Sequence, residues 1–266
     1  MVILTVFTIS LIISIPLASS QETEDEHPFS YKLGAKNGPE NWHKVNASWD
    51  KCGTGQTQSP IDISIPKATV NPTLGGLLLL YRPAKGMLKS RGHDIEIKPT
   101  EDAGGMQIFG DIYFMTQMHY HYPSEHSING KRYPLELHMV HQTPDGSKLA
   151  VTGQLYDYGQ PDPFLAELEH HLKIMKNKHK KEKEVKLMDP YKLNIDSEQY
   201  FRYNGSLSVP PCTEGVIWNV FKKINTVSQQ QVALLKAATN DLGLDNARPI
   251  QKLNGRLVDS TKAKKA

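Results

Sequence analysis

Residues 117–121 read Gln-Met-His-Tyr-His, and residues 136–140 read Glu-Leu-His-Met-Val. The two histidines of the first stretch, His119 and His121, are two positions apart. On a β-strand this spacing places both side chains on one face, about 7 Å apart along the chain. The turn signal Asn129-Gly130 lies between the stretches, so a hairpin or a neighbouring strand can bring His138 to the same point. These residues predict a three-histidine metal site on a β-sheet.

The donor set indicates zinc at a catalytic site. Three neutral imidazoles with no sulfur nearby suit Zn²⁺, and three protein ligands leave a fourth position open, which distinguishes a catalytic site from a structural one. Gln117 lies on the same strand face as the first two histidines, and Glu136 on the same face as His138. Both side chains can accept the second ring N–H of a ligand, which fixes its tautomer and raises its basicity.

Two other interpretations of these residues remain open. Histidines at this spacing also occur as half-buried residues that only bond to the backbone. In addition, the pattern His119-X-His121-X₃-Glu125-X₄-Gly130 is close to the first motif of cupins, where Glu125 would be a ligand and the metal is often iron or manganese. No matching second cupin motif follows Asp145-Gly146.

The rest of the chain reads as mainly β. Turn signals recur at short intervals, and short alternating runs such as residues 94–98 and 149–155 lie between them. Asn-Gly and Asp-Gly pairs favour hairpins, so neighbouring strands should be antiparallel. Residues 163–178 and 226–238 read as helices, the first capped by Asp162 and the second by a capping box of Ser228 and Gln231. We therefore expect a single domain built on a large, mostly antiparallel twisted sheet with a few short helices on its surface.

The ends of the 266-residue chain have a different composition. Residues 1–20 are almost wholly apolar and end on small residues, as in a secretory signal peptide, although no Lys or Arg precedes them, so a retained anchor helix stays open. We predict a disordered acidic lead over residues 21–28, one domain over 29–260 and a basic tail over 261–266. No later stretch is apolar enough to span a membrane. The formal net charge of +3 is too small to argue for nucleic acid as a partner.

If the chain is exported, its two cysteines can form a disulfide and two short sequons can be glycosylated. Cys52 and Cys212 are the two cysteines of the chain. In an oxidising compartment we expect them to form a disulfide, and two buried free thiols are the alternative. Asn46-Ala-Ser48 and Asn204-Gly-Ser206 fit the N-glycosylation pattern, so Asn46 and Asn204 are candidate acceptors.

Several motifs, in order along the chain, resemble those of α-carbonic anhydrases. They extend from about residue 29 to residue 256 and look most like the plant members of the family. The motifs are Asn37-Gly-Pro-Glu-Asn-Trp42, Gln58-Ser-Pro-Ile-Asp62, Gln117-Met-His-Tyr-His121, Ser124-Glu-His126, Glu136-Leu-His-Met-Val-His141, Gly205-Ser-Leu-Ser-Val-Pro-Pro211 and Asn246-Ala-Arg-Pro249.

The resemblance implies a function and a set of roles. The reaction is the zinc-dependent, reversible hydration of carbon dioxide to bicarbonate and a proton, with weak ester hydrolysis as a side activity. The zinc lowers the pKa of bound water to about 7, a value known from carbonic anhydrases themselves, and so makes hydroxide available. Ser208 stands where the family has a threonine that accepts a hydrogen bond from this hydroxide and donates one to Glu125.

Further residues match the family's proton path and substrate site. His93 matches the proton shuttle, for which a mobile imidazole with a pKa near 6.5 is suited, and Tyr31 matches the tyrosine that orders the intervening water. Val209 replaces a second family threonine beside the substrate, and Cys52 and Cys212 occupy the positions of the family's disulfide. The apolar wall for carbon dioxide would consist of Val140, Val151, Leu207 and Trp218.

The resemblance leaves a second class of function open. Secreted plant relatives include storage proteins that have lost metal ligands, so the fold alone does not establish an enzyme. We expect a monomer or homodimer that acts on small molecules, without nucleic acid and without a membrane once the signal segment is removed. It should be extracellular or in another compartment of the secretory route.

Overall fold

The computed structural model describes residues 28–178, 182–239 and 244–262. The signal segment predicted for residues 1–20, nearly all of the acidic lead and the last four residues of the basic tail lie outside this part of the chain. None of the helices within the described ranges is both long and apolar enough to cross a membrane.

Most of the described elements are strands, which we number β1 to β16. Their bounds are Asp62–Ile63, Thr69–Val70, Leu78–Leu79, Ala84–Ser90, Ile95–Pro99, Gly105–Ile108, Asp111–His121, Ser127–Ile128, Lys131–Arg132, Leu135–Gln142, Leu149–Tyr158, Glu182–Met188, Tyr200–Ser206, Glu214–Phe221, Asn225–Val227 and Asp259–Ser260. The four α-helices, α1 to α4, are Trp42–Val45, Lys51–Thr54, Pro163–Lys178 and Gln229–Ala238, and short 3₁₀ turns cover Pro39–Asn41, Ala47–Trp49, Ile65–Lys67 and Pro190–Leu193.

Thirteen of the described strands form one sheet. Its main path runs β12-β4-β5-β7-β10-β11-β14-β13-β16-β2, with β6 joining β3 to β7 and β15 added beside β11. Most pairs are antiparallel, as predicted, but β11 pairs in parallel with both β14 and β15, and β16 with β2. A small second sheet contains β1, β8 and β9. The described residues thus form a single mainly-β domain, which confirms the predicted fold class.

The sheet separates apolar clusters on its two faces. The larger cluster lies under α3 and α4 and includes Tyr120, Tyr156 and Phe164. On the other face a second cluster gathers around Trp218, and a third packs Phe29, Tyr31 and Trp42 against the disulfide. Because successive side chains of a strand point to opposite faces, central strands such as β7 and β10 are buried on both sides.

Both predicted long helices form, and both begin with the caps expected from the sequence. The main-chain N of Leu165 donates to the Asp162 carboxylate (2.8 Å) at the start of α3. At α4 the reciprocal capping box of Ser228 and Gln231 is complete. This helix begins at Gln229, three residues after the predicted start, because Asn225–Val227 instead pairs with β11 as a strand.

Replacing Asp162 with asparagine should stabilise the protein at neutral pH. Burial raises the pKa of Asp162 to about 6 from an ordinary value of 3.8. The folded protein therefore retains a proton that the unfolded chain has already released. This contribution to stability is complete below about pH 4 and is lost as the pH rises through 6. Asparagine caps equally well without a charge. The increase in unfolding free energy caused by Asp162→Asn should therefore be about 2 kcal/mol larger at pH 7.5 than at pH 4.

Urea unfolding at the two pH values measures this difference. Asp189 caps the Pro190–Leu193 turn by accepting from the main-chain N of Tyr191 (3.1 Å), so Asp189→Asn is the matched control for the loss of one capping carboxylate. An Asp162→Asn gain that is equal at pH 4 and pH 7.5 would contradict the assignment of the cost to ionisation.

The predicted disulfide is present. Cys52 and Cys212 are joined across 160 positions of sequence, with Cα atoms 5.0 Å apart, which excludes the alternative of two free thiols. The bridge links α2, in the N-terminal part of the domain, to the loop that follows β13. That loop carries Ser208, so the disulfide fixes a segment next to the predicted site.

Candidate metal centre

Two neighbouring strands bring the three predicted ligands together. His119 and His121 lie at the end of β7, and β10 runs antiparallel to it with His138 directly opposite His119. Cross-strand partners point to the same face, as do residues two apart on one strand. All three side chains therefore converge on one face of the sheet, and each is at most 1 % exposed.

The imidazoles are oriented for a single ion. Their ring centroids are 4.5 to 5.2 Å apart, and one nitrogen from each ring lies within 4.8 Å of the others. Nε2 of His121 is buried and has no hydrogen-bond partner among the described residues. A buried imidazole nitrogen without a partner is costly unless something binds it. The donor set and this nitrogen fit a tetrahedral Zn²⁺ with one open position.

Hydrogen bonds to the other ring nitrogens fix which atoms face the ion. Nδ1 of His119 donates to Oε1 of Gln117 (2.8 Å) and Nε2 of His138 donates to Oε1 of Glu136 (3.0 Å), as the sequence indicated. Nδ1 of His121 donates to the main-chain oxygen of Asn246 (2.7 Å). His119 and His121 would therefore present Nε2 to a bound ion, and His138 would present Nδ1.

Burial favours the neutral, metal-binding form of His119 and His138. It lowers the pKa of His119 well below its usual value, with further lowering by His121 and Arg91. It also lowers the pKa of His138, against the opposing effect of Glu136. Protons therefore compete weakly for these nitrogens near neutral pH.

Glu136 is the centre of a larger hydrogen-bond network. Its Oε1 also accepts from Nδ1 of His126 (2.7 Å), and its Oε2 from the main-chain N of the same residue (2.8 Å). Burial alone would raise the pKa of Glu136, but His126 and His138 hold it well below its usual value. Gly153 pairs with His138 on β11, and a Cβ there would lie 2.8 Å from Oε1 of Glu136. A glycine at this strand position leaves room for the carboxylate.

The network continues to the loop that carries Ser208. The Tyr203 hydroxyl lies 2.7 Å from Nε2 of His126 and 2.8 Å from Oγ of Ser59. Ser59 in turn bonds Ser206 through both its main-chain N and its hydroxyl. A continuous chain of hydrogen bonds therefore joins the ligand His138 to the end of β13.

Comparison with known proteins agrees with this site. The family model for eukaryotic-type carbonic anhydrase matches residues 37–262. Alpha carbonic anhydrase 7 of Arabidopsis thaliana is 44 % identical over 95 % of this chain and 92 % of its own length. The chain belongs to the α-carbonic anhydrase family.

Solved structures show the same fold. A dioscorin in complex with ascorbate is 42 % identical and superposes with a TM-score of 0.87 over 90 % of this chain and 99 % of its own. The α-carbonic anhydrase of Thermovibrio ammonificans, in complex with the inhibitor sulfanilamide, is 32 % identical with a TM-score of 0.77, covering 87 % and 98 %. The cupin interpretation is wrong, since the fold is that of carbonic anhydrases and Glu125 lies outside the ligand cluster.

Glu125 is buried beside the centre, but the hydrogen bond that the carbonic anhydrase resemblance implied for it is absent. Its Oε1 accepts from the main-chain N of Arg248 (2.8 Å), whereas its Oε2 has no hydrogen-bond partner among the described residues and lies 4.0 Å from Nδ1 of His138. Ser208 is 2 % exposed and does not bond this oxygen. Serine lacks the methyl group that limits the χ1 rotamers of threonine.

His93 lies deeper than a mobile surface imidazole. It sits in the tight turn between β4 and β5, is 2 % exposed, and packs between the rings of Phe29 (5.0 Å) and Tyr31 (5.7 Å). Burial lowers its pKa to about 4. In this conformation the expectation of a pKa near 6.5 does not hold.

The predicted apolar wall lies next to the ligands, whereas Val209, which was predicted beside the substrate, packs in another cluster. Val140, Val151, Leu207 and Trp218 are buried in one cluster, and the Trp218 ring lies 4.8 Å from that of His138. Val209 instead belongs to the cluster around Cys212 and the N-terminal aromatic residues. It therefore packs with the disulfide and not with the wall.

Two residues of the site received no role from the sequence alone. Asn246 and His126 both stand within recognised motifs, but their contacts join segments that are 125 and 10 positions apart. The bond from His121 to Asn246 uses a main-chain oxygen, which every residue has. The residue type therefore could not predict this bond, and only the motif marked Asn246 as part of the site.

Proposed function

We propose that this chain is a zinc-dependent carbonic anhydrase that catalyses the reversible hydration of carbon dioxide to bicarbonate and a proton. One observation supports this most strongly. All three imidazoles have one nitrogen fixed by a partner and the other directed to a common point, which leaves a fourth ligand position open.

The chain's own residues supply the surroundings of the reaction. When bound, zinc acts as a Lewis acid that lowers the pKa of its water ligand to about 7, as in other carbonic anhydrases. Carbon dioxide has no net charge or dipole, so the dry wall of Val140, Val151, Leu207 and Trp218 suffices to hold it. By the family resemblance, the Ser208 hydroxyl would donate to the buried Glu125 and orient the attacking oxygen. His93 accepts the released proton when its side chain swings outward, through water ordered near Tyr31.

The proposal includes export. The apolar segment of residues 1–20, the disulfide and the two sequons are mutually consistent with a protein of the secretory route. In the folded chain both candidate acceptors, Asn46 and Asn204, are exposed. We propose an extracellular protein or one of another compartment on that route, with weak ester hydrolysis as a side activity.

A binding or storage protein on the same fold is the second candidate, because the similarity to dioscorin is as extensive as that to the carbonic anhydrases. The complete ligand set favours the enzyme. All three histidines, both side-chain partners, Glu125 and a hydroxyl at position 208 are present.

Metal analysis and activity of the purified protein distinguish the two candidates. We expect one zinc per chain and carbon dioxide hydration that an aromatic sulfonamide inhibits, since sulfanilamide inhibits the Thermovibrio relative. A protein that holds no zinc and cannot acquire it would contradict the enzymatic proposal.

Ser208→Thr should increase turnover. Threonine's methyl restricts χ1, whereas serine samples up to three staggered wells, so fixing the productive one should raise kcat/KM by roughly threefold. Stopped-flow hydration assays of the two proteins measure the change. Equal rates would show that the serine hydroxyl is already oriented in the zinc-loaded protein.

A further inference from the structure

Asn246 contacts both the metal centre and the turn that carries His93. It is 1 % exposed, and its main-chain oxygen accepts from Nδ1 of the ligand His121 (2.7 Å). Its side-chain oxygen accepts from the main-chain N of Tyr122 (2.7 Å). Its Nδ2 donates to two carbonyl oxygens, those of Tyr120 and His93, both at 2.9 Å. The three hydrogen bonds of this side chain thus join two separate segments of the chain.

The two segments are the end of β7 and the tip of the β4–β5 hairpin. The tip is a tight turn, with Gly92 at φ +94° and the main-chain N of Arg91 donating to the Asp94 oxygen (3.1 Å). The neighbouring strand contacts between β5 and β7 begin only at Glu96. The carbonyl oxygen of His93 accepts from Nδ2 of Asn246 (2.9 Å) and, at a longer distance, from the Tyr122 hydroxyl (3.5 Å), and both bonds join the tip to the segment at the end of β7.

We propose that Asn246 is a positioning residue that fixes the backbone of His93 relative to the metal centre, so that only the imidazole moves during proton transfer. This inference rests on the proposed function. The side chain makes the bond to His93, whereas the bond to His121 uses the main chain and survives a substitution. The substitution also removes the side-chain bonds to Tyr120 and Tyr122, the neighbours of His121. Asn246 should therefore affect the proton-transfer step more than the hydration step.

The test uses Asn246→Ala in the mature protein, with kcat and kcat/KM measured separately. In dilute buffer kcat, which includes proton release, should fall roughly tenfold, a part of what a well-positioned proton-transfer group contributes. In contrast, kcat/KM, which reports hydration, should fall clearly less than kcat, because the bond to His121 uses the main chain and is retained. Added imidazole should restore kcat by carrying the proton in place of His93. Equal losses in kcat and kcat/KM, or no loss in either, would overturn the inference.

Amide hydrogen exchange of the zinc-free protein gives a second readout that needs no activity. Residues 92–94 should exchange faster in Asn246→Ala than in the unsubstituted protein, and unchanged exchange would overturn the proposal. If the alanine variant does not fold, Asn246→Asp keeps the acceptor for Tyr122 but lacks the NH₂ donor, and the same two results are expected.

A matched control separates this role from general stability. Asn225 is also buried and donates to a carbonyl, that of Leu193 (2.7 Å), on a distant part of the sheet. Asn225→Ala should lower stability without changing the buffer dependence of kcat or the exchange of residues 92–94. An unsubstituted protein without hydration activity would refute the proposed function, while the exchange measurement would still decide whether Asn246 fixes the hairpin tip.

Discussion

His121→Ala should abolish both tight zinc binding and carbon dioxide hydration. The substitution removes the ligand nitrogen that has no other partner among the described residues and leaves two imidazoles, too few to hold the ion. Losing only an outer partner of a ligand costs up to about a hundredfold in affinity or activity, so losing the ligand itself should exceed that. Competition with a chelator measures the affinity, and stopped-flow assays measure the hydration.

His141 provides the matched control for this experiment. It lies on β10 like His138 and is fully buried, but it points to the opposite face, where its Nε2 is 2.8 Å from the Tyr81 hydroxyl. His141→Ala should keep one zinc per chain despite a loss of stability. Zinc retention by His121→Ala, or its loss from a folded His141→Ala, would contradict the assigned ligand set.

Loss of the disulfide should change the unfolding free energy more than the Asp162→Asn substitution does. Cys52→Ser with Cys212→Ser should lower the unfolding free energy by about 3 to 5 kcal/mol in the chain-entropy model, because the bridge closes a very long loop. Urea unfolding of the oxidised protein and the double variant measures the difference. A change below about 1 kcal/mol would show that the unfolded chain gains little freedom from the loss of the bridge.

Reduction should also lower activity before the protein unfolds. Cys212 has φ +59°, a left-handed backbone conformation that a residue with a Cβ adopts only under constraint. The same turn is closed by the bond from the Cys212 main-chain N to the Val209 oxygen (2.9 Å). Once the bridge opens, the turn can relax and displace Ser208, whereas the central strands stay paired. Parallel activity and circular-dichroism measurements during reduction test this, and simultaneous loss of both signals would contradict it.

The sequence alone determined the local features of this protein. Histidine spacing on one strand, the capping residues Asp162 and Ser228 and the Asn-Gly turn each depend on interactions within a few positions, so each could be predicted from its own segment. The long sheet also follows from such local patterns. The start of α4 could not be predicted, because residues 225–227 gain more from pairing with a distant strand than from extending the helix.

Only the tertiary structure decided the environment of each functional group. Asn246 meets His121 and His93 across more than a hundred positions, and Val209 packs with the disulfide and not with the wall. The depth of His93 and the unmade bond between Ser208 and Glu125 likewise depend on how separate segments of the chain pack together. Residue types set what chemistry is available, but burial, rotamer and pKa depend on neighbours that chain folding brings together, so they become visible only in the folded protein.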